Sequence, residues 1–502
     1  MRNIKPLASI AKGTAYAALG VVLARFLNYL FRLIVARLGS EEYGLYNLGF
    51  AIATFLATLA MCGFYTGIRR FVPYYLTQGN EKKIKGILYS VFRISVPLSI
   101  AFSLMLFFFS DSISANVFKN PELSPVLKIF SLTLPFLTAM QIIVSSLTSF
   151  QRIDYAVFIR DILANVARIL LVLILIYTGY GLTGVVVGHA ISTVIAFAIG
   201  LYLMEKKVFP FLKTKIKPEY SHQQLLEYSL PLLLSGIFVM VLDSTDTLML
   251  GYFKTASDVG LYNAALPTAR LIQVIPYAII QLFLVVITES HAKGEDITSI
   301  YRTVCRWIFL LSMPMLLVFA TMPEKIMSVV FGSEYAPAAM PLLILTTALL
   351  VDGFFMPASQ VLALFKKTRL ILKITFTAAF LNVILNYVMT PRYGITGTAL
   401  ATGVSVIIFG LMQGYNSFKL TGKHVFSRSH FKILAAGMIT LLLATYIKSY
   451  VNLQKPVIDL MAYSILTLLI YAALMLALKP FEQEDMELFN LVKKAMAKAV
   501  GR

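Results

Sequence analysis

Long apolar runs broken by short polar stretches dominate the chain. They fall at 13–37, 43–67, 87–110, 125–150, 155–177 and 182–204, then at 229–251, 260–288, 303–322, 337–365, 370–390 and 395–418, and finally at 431–450 and 457–478. Each is near the roughly 20 residues that an α-helix needs to cross a hydrocarbon core. Within each run the apolar residues are continuous rather than alternating, which argues for helices and against a transmembrane barrel. The pattern predicts an all-α polytopic membrane protein with about 14 transmembrane helices.

The polar breaks alternate in charge. One set holds Arg69, Arg70, Lys82, Lys83, Lys85, then Arg152, then Lys206, Lys207, Lys213, Lys215, Lys217, then Lys293, Arg302, then Lys366, Lys367, Arg369, then Lys419, Lys423, Arg428. The other holds only Lys119, Lys254, Lys325, Arg392, Lys448 and Lys455. Positively charged connections stay in the cytoplasm, so the first set is expected inside, with both termini, in a multi-pass cell-membrane protein. The tail 481–502 spaces Phe481, Met486, Phe489, Val492 and Met496 at near-helical period, which predicts an amphipathic helix on the cytoplasmic surface.

The chain also repeats itself. Gly44-Leu45-Tyr46-Asn47 returns as Gly260-Leu261-Tyr262-Asn263, each copy opening an even-numbered span. Tyr180-Gly181-Leu182-Thr183-Gly184 returns as Tyr393-Gly394-Ile395-Thr396-Gly397, and Val117-Phe118 before Ser124-Pro125 is echoed by Val330-Phe331 before Ala336-Pro337. Three matches in register point to two six-span repeats. An even number of spans gives both repeats the same orientation. The expected layout is an N-lobe over 1–222, a C-lobe over 223–420, and helices 13 and 14 with the tail over 421–502. In transporters built from repeats the substrate site lies between the halves near the midplane, so a central cavity is expected.

Composition narrows the function. The 502 residues are 58% hydrophobic and only 14% charged, against roughly 25% charged in a soluble domain. The net charge of +20 lies in the connections, where it serves topology and membrane lipid, so no nucleic-acid partner is expected. Cys62 and Cys305 lie in or beside apolar runs, which suits buried small hydrophobes rather than a disulfide or zinc site. Arg2, Lys5 and Lys12 precede an apolar run too long for a signal peptide, so that run is taken as the first span.

Charges inside spans cost about 2.5–3.5 kcal/mol each and default to functional candidates. Arg25, Asn28 and Arg32 share one face of span one. Arg168 and Asn165 lie in the middle of span five, and Arg270 and Gln273 share a face in span eight. Arginine holds two phosphate oxygens at once with its planar fork. These residues therefore point to a substrate bearing one or two phosphates, with Arg25, Asn28, Arg32, Arg168 and Arg270 as binding residues. Asp243 and Asp246 lie a turn apart in span seven, Asn382 and Asn386 share a face of span eleven, and Thr398 and Thr402 a face of span twelve. Their oxygens suit a dehydrated hard cation, such as sodium, or interhelical hydrogen bonding and an Asp243–arginine ion pair. Asp243 lies near the repeat counterpart of Arg25, which suits an anionic substrate with Na+ or H+ as coupling ion.

No G-x-x-x-x-G-K-[ST] loop and no H-E-x-x-H occurs. His189, inside span six, reads as a hydrogen-bonded packing residue. A membrane glycosyltransferase would need paired carboxylates or a His/Arg set in an outer loop, and the outer connections are short, so no enzyme is expected. No other cofactor is implied.

With these features assembled, the chain resembles the polysaccharide-export flippases, in the superfamily that also holds lipid II flippases and multidrug-and-toxin extruders. The segments that carry the resemblance are Ile34-Val35-Ala36-Arg37-Leu38-Gly39, Glu42-Tyr43-Gly44-Leu45-Tyr46-Asn47, Tyr228-Ser229-Leu230-Pro231-Leu232-Leu233 and Asp258-Val259-Gly260-Leu261-Tyr262. The resemblance implies flipping of a polyprenyl-(pyro)phosphate-linked oligosaccharide to the outer leaflet by alternating access. It implies cavity-facing roles for Arg25, Arg32 and Arg270, and a sodium site at Asp243, Asn382, Asn386 and Thr402. Lipid II flippases carry a further arginine in span two, and here span two has none before Arg69. The expected partners are a lipid-linked oligosaccharide, membrane lipids, and the glycan polymerase or glycosyltransferases of the same pathway. A cation-coupled multidrug extruder is the alternative, and it would want an acidic cavity where these arginines stand.

Overall fold

The computed structural model describes residues 23–220, 222–450, 455–482 and 485, apart from the side chains at 231, 234, 235, 239, 242 and 243. The first part of span one and almost all of the expected tail helix therefore lie outside the described residues.

Every regular element among the described residues is helical. The order is α1 (23–36), α2 (Ser40–Ala60), α3 (Phe64–Thr77), α4 (Glu81–Ser112), α5 (Leu123–Ser149), α6 (Ile153–Val157), α7 (Ala164–Tyr177), α8 (Gly181–Leu203), α9 (His222–Phe253), α10 (Ala256–Ala269), α11 (Val274–Ala292), α12 (Thr298–Thr321), α13 (Pro323–Val330), α14 (Ala339–Leu364), α15 (Thr368–Thr421), α16 (Arg428–Tyr450) and α17 (Pro456–Leu478). Among the described residues ten helices are long and apolar enough to cross a membrane. Large apolar side chains such as Phe108, Phe431, Leu442 and Leu476 stand exposed along them. In water so much exposed apolar surface would aggregate, whereas in a bilayer it faces acyl chains. The all-α polytopic architecture is the one that the apolar runs imply.

Several breaks differ from the sequence expectation, each for a local reason. The second run ends early, because Cys62 and Gly63 both take left-handed backbone and separate α2 from α3. A π-helical turn, Phe158–Leu163, joins α6 to α7. Expected spans eleven and twelve are, by contrast, present as the two arms of α15, Thr368–Thr421, separated by a kink at Gly394 (φ 56°, ψ −135°). That backbone conformation is open to glycine and strained for other residues. Pro323 at its N-terminus starts the short α13, which the apolar pattern does not show.

The chain divides into two compact units, Met1–Gly260 and Leu261–Arg502. In the first, α9 packs on α2 and α3. A core cluster there gathers Phe64, Ile68, Ile87, Leu88, Ile142 and Leu147. In the second, α14 packs on α12 and α15, and its core gathers Ile280, Phe283, Tyr301, Ile308, Phe354 and Val361.

The second unit also contains a buried ion cluster that joins residues far apart in sequence. Arg306, only 2% exposed, pairs with Asp485 at 2.6 Å and Glu482 at 2.5 Å. Trp307 Nε1 donates to Asp485 Oδ1 at 2.8 Å, and the Ser429 hydroxyl donates to Glu482 at 2.6 Å. Burial pushes the Glu482 carboxyl up, but the Ser429 hydroxyl and the Arg306 guanidinium outweigh it and hold the group down to about 2. A depressed carboxylate stabilises the fold above its unfolded value and loses that contribution as pH falls through the folded value. The contact should therefore weaken from about pH 4.5 downward to about 2. Trp307 is the only tryptophan, so its emission reports on the cluster directly. We expect an emission change over that window, and the low-pH spectrum already at neutral pH in Arg306→Gln. An emission insensitive to both would refute the assignment.

Candidate functional site

In the first unit α1, α2, α7 and α8 bring a group of polar side chains together. Arg168, on α7 and 8% exposed, reaches α1: its Nη2 donates to Asn28 Oδ1 at 2.7 Å. It also donates to Asn165 Oδ1, one turn away on its own helix. Its guanidinium lies over the Phe31 ring, 4.1 Å from the centroid. Asn28 is aimed by its own amide, which donates to Ala24 O at 2.8 Å. One turn further along α1, Arg32 Nη1 donates to the Tyr43 hydroxyl at 3.2 Å. Tyr46, one turn beyond Tyr43, meets His189 Nδ1 at 2.7 Å in a buried pair. His189 is thus a hydrogen-bonded packing residue, ringed by Phe31, Phe50 and Phe130.

The described partners of Arg32 and Arg168 are all neutral. Among the described residues no carboxylate lies within ion-pair distance of either. The nearest acid in sequence, Asp161, is taken by Arg160 at 2.7 Å. Two arginines in an apolar bundle, with no described carboxylate beside them, can receive an anion. Arg25, also on α1, is exposed. Asp246, on α9, is buried, and the Asp243 side chain lies outside the described residues.

In the second unit the two arms of α15 are tied by a ladder of polar side chains. Asn382 Nδ2 donates to Thr402 Oγ1 at 3.1 Å, and Asn386 Nδ2 to Asn382 O at 3.0 Å. The Thr390 hydroxyl reaches Asn386 Oδ1 at 3.2 Å and lies 2.9 Å from the Thr398 hydroxyl. All five side chains are buried. Asn382 Oδ1 is buried with no hydrogen-bond partner among the described residues. Among the described residues no group of three His, Cys, Asp or Glu side chains could hold a metal ion.

The structure also joins Gln273 to a residue that sequence reasoning missed. Asp352 lies at the middle of α14, and Gln273 Nε2 donates to its Oδ2 at 3.0 Å. Gln273 closes a four-residue 3-10 turn that Arg270 opens. Arg270 is exposed. A carboxylate in the middle of the apolar run 337–365 was the available signal, carrying the same insertion cost as the arginines.

Comparison with known proteins places the chain by similarity. A family model described as "Polysaccharide biosynthesis protein" matches residues 10–287, and one described as MatE matches residues 231–388. An uncharacterised membrane protein of Methanocaldococcus jannaschii is 22% identical over 457 residues, covering 88% of this chain and 90% of that one. A protein of Haloferax volcanii named "Probable low-salt glycan biosynthesis flippase Agl15" is 25% identical over 202 residues, which cover 40% of this chain and 43% of that one. Among solved structures, the lipid II flippase MurJ in an inward closed conformation superposes with a TM-score of 0.75 at 16% identity, covering 92% of this chain and 98% of that one. An inward-facing MATE family transporter superposes with a TM-score of 0.67 at 15% identity, covering 80% of this chain and 94% of that one.

Proposed function

The chain belongs to the polysaccharide biosynthesis protein family, a multi-pass membrane transporter in the superfamily of flippases and MATE extruders, and from that premise we propose that it flips a polyprenyl-(pyro)phosphate-linked oligosaccharide. The direction is from the cytoplasmic to the outer leaflet of the cell membrane, by alternating access, with both termini in the cytoplasm. The observation that carries the reading is the pair Arg32 and Arg168, held by neutral partners with no described carboxylate beside them. Arg168 is the fixed member, oriented by Asn28, Asn165 and Phe31. Arg32, half-buried and bound to one hydroxyl, is the member able to turn toward a phosphate. The printed name of the Haloferax volcanii relative, a glycan biosynthesis flippase, supports the same substrate class. Glycosyltransferases that build the lipid-linked glycan would supply the substrate, and a polymerase or transferase on the far side would consume it.

Ligand-induced stabilisation tests the reading without transport. A ligand at 100 times its Kd stabilises the folded state by about 2.7 kcal/mol. A polyprenyl-pyrophosphate-linked oligosaccharide should raise the Tm of the detergent-solubilised protein, and Arg32→Ala/Arg168→Ala should remove that rise. Stabilisation by organic cations and not by the lipid-linked glycan would make the multidrug extruder the correct reading.

A further inference from the structure

The second unit carries a groove of about 300 Å³, a volume at the lower end of the range for ligand pockets. Tyr301 of α12 and Phe355 of α14, both buried, form its base, and the exposed side chains of Leu411, Tyr415 and Phe418 on α15 form a wall. Gly414 lines it too. A Cβ there would fall 2.5 Å from the Phe355 ring, so the missing side chain lets that ring lie against the α15 backbone.

Four consecutive residues of the loop after α15, 423–426, complete the lining. This loop is held at several points. Gly422 ends α15 in left-handed backbone. The Thr421 hydroxyl donates to Lys423 O at 3.2 Å, and Arg302 Nη2 donates to His424 O at 3.2 Å. Phe426 stacks on Phe354, with ring centroids 5.5 Å apart. A groove built on a fixed loop spends little on ordering when a ligand enters.

Charge gathers on one part of this lining. Lys423 Nζ pairs with Asp296 at 2.7 Å, and Lys419 Nζ lies 5.9 Å from the Tyr415 ring centroid. With Arg302, three cations touch the lining against one carboxylate among the described residues. Glu482 and Asp485, further along, are held by Arg306. The groove thus joins an apolar wall that faces lipid chains to a cationic loop. A phospholipid combines the same two chemistries, and basic pockets between transmembrane helices take anionic head groups.

We propose that this groove binds one anionic phospholipid of the surrounding membrane. Its hydrocarbon chain lies along Tyr301, Phe355, Tyr415 and Phe418, and its phosphate is held by Lys419 and Lys423, displacing Asp296 from Lys423. Placing the lipid in the cytoplasmic leaflet rests on the topology proposed above, whereas the binding itself requires no transport.

Native mass spectrometry of the full chain released from detergent micelles tests the site, with phosphatidylglycerol as the probe and phosphatidylcholine as the uncharged comparison. The wild type should retain one phosphatidylglycerol more tightly than any phosphatidylcholine. Lys419→Gln/Lys423→Gln should weaken that binding by roughly tenfold or more. Lys366→Gln/Lys367→Gln removes the same charge from the connection between α14 and α15, outside the lining, and should leave binding unchanged. Phe418→Glu, at an exposed position, should abolish it. Asp296→Asn removes the competing carboxylate and should tighten binding severalfold, a gain that damage to the fold would not produce. Equal retention of the two lipids, equal losses in the two lysine pairs, or no gain in Asp296→Asn would overturn the proposal. Retention of a polyprenyl phosphate in place of phosphatidylglycerol would also overturn it, making the groove part of the transport path.

Discussion

Arg32→Leu/Arg168→Leu is expected to reduce flipping of a lipid-linked oligosaccharide by roughly 100-fold or more. A hydrogen bond to a charged group is worth about 1.5–3 kcal/mol, and each 1.4 kcal/mol is a factor of about ten. Two guanidinium contacts to one phosphate therefore correspond to about 3–6 kcal/mol, or roughly 10²–10⁴. Arg168→Lys separates charge from geometry. Lysine keeps the positive charge but lacks the planar fork, so it cannot reproduce the bonds to Asn28 and Asn165 together with the stacking on Phe31. We expect a roughly tenfold loss for Arg168→Lys. Arg168 also ties α7 to α1, so each variant's Tm is needed beside its rate. A structural role alone would lower Tm and leave the ligand-induced shift intact. The substrate role removes the shift.

Gly44→Ala should destabilise the protein by about 3 kcal/mol, the upper part of the usual range for overpacking. A Cβ on Gly44 would fall 1.7 Å from the Ala256 carbonyl oxygen, and one on Gly260 would fall 1.9 Å from the Ser40 carbonyl oxygen. The contact is reciprocal, and the obstacle on both sides is backbone, which cannot rotate aside. The Ser40 and Ser257 hydroxyls close the same contact at 2.8 Å. Gly236→Ala is the control, since a Cβ there meets nothing within 4 Å. Thermal unfolding in detergent should show Gly44→Ala far below wild type and Gly236→Ala near it. Equal Tm values for the two variants would show that the contact is not as tight as described.

This contact also explains a sequence signal. Gly44 and Gly260 open the two Gly-Leu-Tyr-Asn copies, and the first residue of each copy is where the two segments touch. The repeat was legible because close backbone approach requires the same residue twice. The apolar runs were legible for an equally general reason, since a bilayer requires continuous apolar length. The partnership of Asn28 with Arg168 was only half legible. Helical spacing placed each on a polar face, but it cannot tell which faces meet across the separation between α1 and α7. The Arg306 cluster was beyond any local pattern, because Asp485 lies in a tail that reads as an amphipathic helix on the cytoplasmic surface. The break between the two arms of α15 was legible, because Pro391 and Gly394 mark it in the sequence and Gly394 takes a non-helical conformation there. Asp352, a lone carboxylate in an apolar run, was passed over. Its hydrogen bond from Gln273, at the end of the 3-10 turn, came only with the fold.

The most direct test of the central claim, that these arginines serve an anionic glycan lipid, is a flipping assay in liposomes. A fluorescent polyprenyl-pyrophosphate-linked oligosaccharide would be followed by the access of a membrane-impermeant quencher, with wild type and Arg32→Leu/Arg168→Leu reconstituted at equal, verified density. The account predicts rapid loss of leaflet asymmetry with wild type and a rate near that of protein-free liposomes with the variant. Equal rates for the two proteins, with both folded, would contradict it.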